Sequence, residues 1–316
     1  MDRSLLSPRH WPACALLLVM RAIAFLPLPV QLSLGRGIGS AAHLLARRRR
    51  HVTEVNVALC FPALSDPERR NLVRRIFVST GIAAVETSIA FFRDPERYRE
   101  RLIVEGLDNL EDAQAHGRGV VLIGAHFSTL DIAGALLSLV ADIDVIYRAD
   151  RNPVMEHALR MGRQRLHDGV IERKDVRTAL KHLKAGRTVW YAADQDYGPK
   201  HSVFAPFFGV PAATITATAR LARFNGSPAV FVSHFRDPER RRWTIRFSPA
   251  IEGFPSEDSL ADATRINRMI EDAIRTHPDQ YLWLHRRFKT RPPGQSRPYR
   301  AEAGRRRRAR RPKTAA

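Results

Sequence analysis

The sequence predicts an α/β fold: a mainly parallel central sheet flanked by helices, with an N-terminal hydrophobic helix. Three observations carry that prediction. Short apolar runs at 120–123 (VVLI), 143–147 (IDVIY) and 188–192 (TVWYA) have the length of buried strands and are bounded by glycine, charge or turn residues. The segments between them are longer and helical in spacing or capping. Strands alternating with helices bury both faces of a sheet, which is the plan of parallel α/β domains.

The elements follow in chain order. Residues 11–30 (WPACALLLVMRAIAFLPLPV) are hydrophobic or small except for Arg21, and Pro27 and Pro29 are expected to end the helix. Its strongest part, 13–26, is shorter than the roughly 20 residues a spanning helix needs, so a short anchor that spans or lies on a membrane is expected. The flanking charge follows the segment, at Arg36 and then Arg47 to Arg50, and this orients the body towards the cytoplasm. Ser65-Asp66-Pro67-Glu68 is a helix start, and Ile76, Val78, Ile82, Val85 and Ile89 continue that helix across 66–93. After the strand at 120–123 come the strand at 143–147 and helices over 153–166 and 175–184, the latter capped by Ala185-Gly186. The strand at 188–192 leads to a helix over 214–224, strands at 229–233 and 243–247, and an amphipathic helix over 259–275. We divide the chain into an anchor and basic flank (1–50), a main body (51–292) and a basic tail rich in Pro, Gly, Arg and Ala, expected to be disordered (293–316).

The chain has 316 residues, enough for one large domain or two modest ones, and a formal charge of +20 from 52 basic and 32 acidic side chains. That balance suits polyanionic partners: nucleic acid, anionic lipid headgroups, phosphorylated substrates or an acidic carrier protein. Cys14 and Cys60 form neither a disulfide framework nor a metal cluster. No HExxH, P-loop, dinucleotide GxGxxG or GxSxG elbow is present, which argues against metalloprotease, nucleotide-binding and serine hydrolase chemistry.

Three polar clusters fall at or just beyond predicted strand ends, where open α/β sheets hold ligands. The first is His126 with Asp131. Residues five apart lie about 140° apart on one helix, so the two meet best if His126 sits in the turn and Asp131 in the first helical turn. There the carboxylate would hold one imidazole nitrogen and leave the other as a general base. Alone, the pair reads more readily as a strand-end histidine beside an ordinary first-turn aspartate. The second cluster is Arg148 with Arg163 and Arg165, cations for an anionic substrate or solvated helix-face residues. The third is Asp194 and Asp196, leading to Phe207 and Phe208, which are acyl-pocket candidates or core.

These residues resemble a known family. His126-Phe127-Ser128-Thr129-Leu130-Asp131 fits the HX4(D/E) signature of the glycerolipid and lysophospholipid acyltransferase superfamily. RKDVRTALKHLKAGRTVWYAADQDYGPKHSVFAPFFGVPAAT (173–214) and DQYLWLHRRFKTRP (279–292) are similar to the lipid A biosynthesis lauroyl/myristoyl acyltransferases of Gram-negative bacteria, over roughly residues 10–292. The resemblance implies an inner-membrane enzyme with a cytoplasmic catalytic domain and no cofactor. Such an enzyme moves a fatty acyl chain from acyl carrier protein to a hydroxyl of a phosphorylated, Kdo-linked lipid A precursor. It implies His126 as base, Asp131 as its orienting carboxylate, and Arg163 and Asp194 as residues needed for activity. Lauroyl-transferring members commonly carry Glu where this chain has Asp131, so the resemblance implies no chain length. The FPEG-type motif of glycerol-phosphate acyltransferases is absent, which weighs against a glycerolipid acceptor. The alternatives are an acyltransferase using acyl-CoA on another glycolipid or lysophospholipid, and a membrane-tethered basic nucleic-acid binder. The second lacks any recognisable binding module, so no nucleic-acid partner is expected.

Overall fold

A computed structural model describes residues 7–299. Its centre is a seven-stranded sheet in the order β1 (Leu102–Glu105), β9 (Arg242–Ala250), β8 (Ala229–Asp237), β2 (Val120–Gly124), β5 (Thr188–Ala192), β3 (Ile143–Tyr147), β4 (Val170–Glu172). All neighbours run parallel except β8 and β9. The expected α/β class and mainly parallel sheet are therefore present. β2 is buried at all five positions because helices cover both its faces, which is why it reads as an unbroken apolar run.

The amino end differs from the expected single helix. α1 (Trp11–Ala24) stops before Pro27, and Pro27 caps a second helix, α2 (Leu28–Leu45), with Pro29 in its first turn. The prolines thus open a helix as well as closing one, since the missing N–H costs nothing in a first turn. α2 lies against α4 (Asp66–Phe92) at backbone contact. A Cβ on Gly35 would stand 2.6 Å from the Ile82 Cα, and one on Gly39 would stand 2.6 Å from the Val78 Cα. Between them, α3 (Arg47–Cys60) turns Val52, Asn56, Val57 and Cys60 inward. α4 begins on the predicted signal: Ser65 N–H donates to Glu68 Oε2 at 2.7 Å, completing a capping box. α4 is long and apolar enough to cross a membrane, but much of it is buried in the protein. Its Glu86 accepts from the Trp243 indole at 2.6 Å and pairs with buried Arg236, tying the helix to β8 and β9.

α6 (Leu130–Leu137), α7 (Pro153–Leu166), α8 (Val176–Lys184) and α10 (Ser259–Thr276) complete the expected helices, with α5 (Leu107–Ala115) in addition. The helix expected over 214–224 begins later, as α9 (Ala217–Asn225), because residues 210–215 belong to an antiparallel hairpin of β6 (Ser202–Phe207) and β7 (Val210–Ile215). The tail expected to be disordered from 293 is also corrected in part. Tyr299 is buried, its hydroxyl donating to Asn56 Oδ1 at 2.6 Å and accepting from the Phe288 N–H at 3.0 Å. The arginine run at 305–308 lies outside the described residues.

Candidate active site

β2 and β5 are adjacent and parallel, with Gly124 opposite Ala192. Two residues past that register, the strands deliver His126 and Asp194. The His126 N–H donates to Asp194 Oδ2 at 3.0 Å and its Nδ1 to Oδ1 at 2.6 Å, while its carbonyl accepts from the Leu282 N–H at 2.9 Å. Ring and backbone are thus fixed by one buried carboxylate. With Nδ1–H committed to Asp194, the neutral ring carries its lone pair on Nε2, which receives the Gln195 amide at 3.1 Å. Burial is the largest single influence on this ring and opposes its protonation. The charge and hydrogen bond of Asp194, with a contribution from Asp131, outweigh it and raise His126 above its ordinary 6.5. Asp194, although buried, is pulled down by His126 well below the carboxylate range.

This corrects the expected dyad. Asp131 does stand in the first turn of α6 and lines the same cavity, but its Oδ2 accepts from Thr87 Oγ1 of α4 at 2.8 Å. The carboxylate on Nδ1 is Asp194, because parallel neighbouring strands bring equivalent positions side by side. Asp131 reaches the ring through its charge alone.

His126 opens onto a cavity of about 520 Å³, the size of an ordinary small-ligand site. Its apolar wall comes from Leu130, Gly134, Leu137, Val145, Trp190 and Val232. Gly124 permits that wall, since a Cβ there would collide with the Trp190 indole nitrogen and lie 2.9 Å from Cε2. Three other histidines line the cavity, and burial drives each down: His167 to about 4, His234 to about 3 and His285 to about 4. None has an aspartate bonded to its ring, so His126 alone among them is raised.

The other predicted residues divide. Arg148 and Arg163 line the cavity, with the Arg163 guanidinium 5.3 Å from the centre of the Tyr147 ring and 5.6 Å from that of Phe91. Arg165 instead donates to the Ala90 and Arg93 carbonyls at 3.1 and 2.6 Å and closes the end of α4. Asp196 accepts from the Thr290 N–H at 2.6 Å and hydroxyl at 2.8 Å, pinning the C-terminal segment rather than facing the cavity. Phe207 and Phe208 do not line it. Phe207 is fully buried among Phe208, Tyr281 and Phe288, and its ring carries the Arg287 guanidinium at 4.9 Å. Gln195, Arg173, Tyr197 and His285 also line the cavity; sequence reasoning placed Gln195 and Tyr197 in the third cluster but gave none of the four a role. Gln195 sits between two aspartates already singled out, a signal that could have found it. Among the described residues, no three His, Cys, Asp or Glu side chains converge as a metal site would require.

A strand-end histidine held by a buried aspartate faces a largely apolar cavity rimmed by arginines. The model of the family "Bacterial lipid A biosynthesis acyltransferase" matches residues 1–290. The lipid A biosynthesis palmitoleoyltransferase of Escherichia coli is 40% identical over 296 residues, 93% of this chain and 96% of that protein. The lauroyltransferase of the same organism is 38% identical over 92% of this chain and 95% of the relative, and the myristoyltransferase 28% identical over 94% and 93%. Among solved structures, the 1-acyl-sn-glycerophosphate acyltransferase of Thermotoga maritima overlaps 75% of this chain and 98% of its own, at 18% identity and a TM-score of 0.38. The chain belongs to the bacterial lipid A biosynthesis acyltransferase family, and its activity is acyl transfer.

Proposed function

We propose that the protein transfers a fatty acyl chain from acyl carrier protein to a hydroxyl on a Kdo-linked, phosphorylated lipid A precursor. The observation that carries this reading is His126, held by Asp194 with its Nε2 lone pair at the head of the apolar cavity. The acceptor hydroxyl takes the place of the Gln195 amide on Nε2. His126 removes its proton as the oxygen attacks the thioester carbonyl. The tetrahedral adduct then collapses, the C–S bond breaks, and the imidazolium returns the proton to the departing thiolate. The new ester and the free thiol balance the reaction, with no cofactor and no covalent enzyme intermediate.

The acyl chain occupies the cavity over Gly134 and Leu137, and Arg148, Arg163 and Arg173 meet anionic groups at its mouth. The catalytic body faces the cytoplasm at the inner membrane. α1 has 14 residues, a length of about 21 Å against a hydrocarbon core of roughly 30 Å. It therefore lies on the membrane with Trp11, Leu16, Leu18 and Val19, and Phe25 just past its end, all exposed, as its contact. The test is acyl transfer by purified protein from acyl carrier thioester to the Kdo-bearing acceptor. His126→Ala should lower turnover by about 10² to 10⁴; near wild-type turnover in that variant would overturn the reading.

A further inference from the structure

Two side chains flank His126 at the strand ends: Asp194, which holds its ring, and His234. The β2–β5 register, carried two residues past Gly124 and Ala192, sets Asp194 beside His126. The β2–β8 register, carried three residues past Ile123 and Phe231, sets His234 on the other side, about one strand spacing of roughly 4.8 Å away. Asp194, His126 and His234 thus form a row across three parallel strands. His234 shares a face of β8 with Val232, and both line the main cavity.

His234 is 4% exposed, and the Phe127 ring stands edge-on to it with 5.4 Å between ring centres. Its Nδ1 lies 2.8 Å from Thr129 Oγ1, and its carbonyl lies 3.1 Å from the same hydroxyl. A hydroxyl has one proton to give. Since 3.1 Å is beyond the roughly 2.5–3.0 Å of an O–H···O bond, that proton goes to Nδ1. The hydrogen of the ring is then on Nε2, which is buried and has no hydrogen-bond partner among the described residues. Buried polar atoms without partners are rare and costly, and an aliphatic side chain would fill the same space without that cost. Burial first, and the charge of His126 second, lower His234 to about 3. The ring therefore stays neutral when His126 takes up a proton, and it donates a hydrogen bond without giving up its own.

We propose that His234 is a catalytic residue that donates from Nε2 to the oxyanion of the tetrahedral adduct. The assignment rests on the thioester donor proposed above. As the acceptor oxygen bonds to the thioester carbon, the carbonyl π pair moves onto oxygen, and the His234 Nε2–H meets the charge where it develops. No proton leaves His234. When the pair returns to reform the carbonyl, the C–S bond breaks and the proton held by His126 passes to the sulfur. The two histidines divide the work: one takes a proton, the other steadies a negative oxygen.

The experiment uses the full chain in detergent micelles, with steady-state transfer from acyl carrier thioester to phosphorylated glycolipid and the unfolding midpoint of each variant measured alongside. His234→Leu should lower kcat by about 10² to 10³, the worth of one oxyanion donor, and leave both KM values within about threefold of wild type. His234→Gln, whose amide places an N–H near the Nε2 position, should recover kcat to within about tenfold of wild type. Equal losses in the two variants would make His234 a packing residue and overturn the proposal, as would a raised KM at unchanged kcat. Nitrogen NMR of protein carrying isotope-labelled histidine reads the tautomer without turnover, with His234→Gln assigning the signal. Nε2 should carry the hydrogen and Nδ1 the lone pair; the reverse would overturn the proposal, whether or not His234→Leu folds. A wild type inactive with the thioester would overturn the donor reading and this assignment with it. A wild type active with the thioester, beside a His234→Leu variant that keeps its kcat, would overturn this assignment alone.

Discussion

The two faces of the central sheet are built from the same kinds of residue and do different work. On one face Val121, Ile123, Val189 and Phe231 meet Phe207, Tyr281, Trp283 and Phe288, and large rings fill the space. On the other, Leu122, Ile143, Val230 and Val232 meet Ile132, Ala133, Leu136 and Leu137 of α6. There the smaller side chains of α6, with Gly134 among them, stop short of the sheet near β3 and β5 and leave the main cavity. Close packing is the default for protein interiors, so an apolar hollow beside His126 marks the candidate site, and the aromatic face packs behind it.

The sharpest way to break this comparison is at the base. His126→Ala should lower kcat by about 10² to 10⁴, the usual worth of a positioned general base, measured as acyl transfer under saturating substrates. Asp194→Asn should cost a similar factor. It should also move the acid limb of the kcat/KM profile to lower pH, because Asp194 is what holds His126 above 6.5. The sign follows from the base being active when neutral: activity rises with pH through the His126 pKa, so lowering that pKa extends activity to more acidic conditions. An unmoved limb would separate Asp194 from the base.

Phe207→Ala tests the supporting face. It should cost about 3 to 5 kcal/mol in denaturant unfolding while the preferred acyl chain stays the same; a shifted preference would return Phe207 to the chain pocket. Gly134→Leu tests the opposite face. A Cβ at Gly134 meets only the His167 ring, at 3.8 Å, so the helix accepts a side chain that then occupies the cavity. The expected result is a preference for shorter acyl donors in a competition assay with little loss of stability. Asp131→Asn should have the smallest effect, roughly tenfold or less in kcat, because its carboxylate bonds Thr87 and touches the base only through charge. A loss equal to that of Asp194→Asn would reinstate the sequence-derived dyad.

Much of this was legible beforehand, for particular reasons. β2 was readable because a strand buried on both faces loses all polar alternation, β3 and β5 because they are short, mostly apolar runs, and α4 because its capping box and apolar spacing agree. The β6–β7 hairpin was not readable. It carries Pro206 and Pro211, which count against a strand, and its turn is formed by Phe208 and Gly209 in left-handed conformations, where phenylalanine is no turn signal. α3 was hidden behind four arginines, since its inward face shows only once α4 and the C-terminal segment surround it. His126 was found from its place at the end of a strand. Its partner was misassigned because both the short separation and the HX4(D/E) resemblance pointed to Asp131, and neither carries the adjacency of β2 and β5.

The sequence by itself determined the layers, the strand that delivers the base, the family, and the residue types at the site, because burial on both faces and helix capping are local and write themselves into composition. The tertiary structure decided which aspartate holds His126, which apolar residues wall the cavity, and which arginines gather beside it. Those outcomes depend on strand adjacency: Asp194 lies 68 residues from His126 in the chain and 2.6 Å away in space. The residues of GAHFSTLD carry no record of the neighbouring strand, and that neighbour sets the geometry of the base.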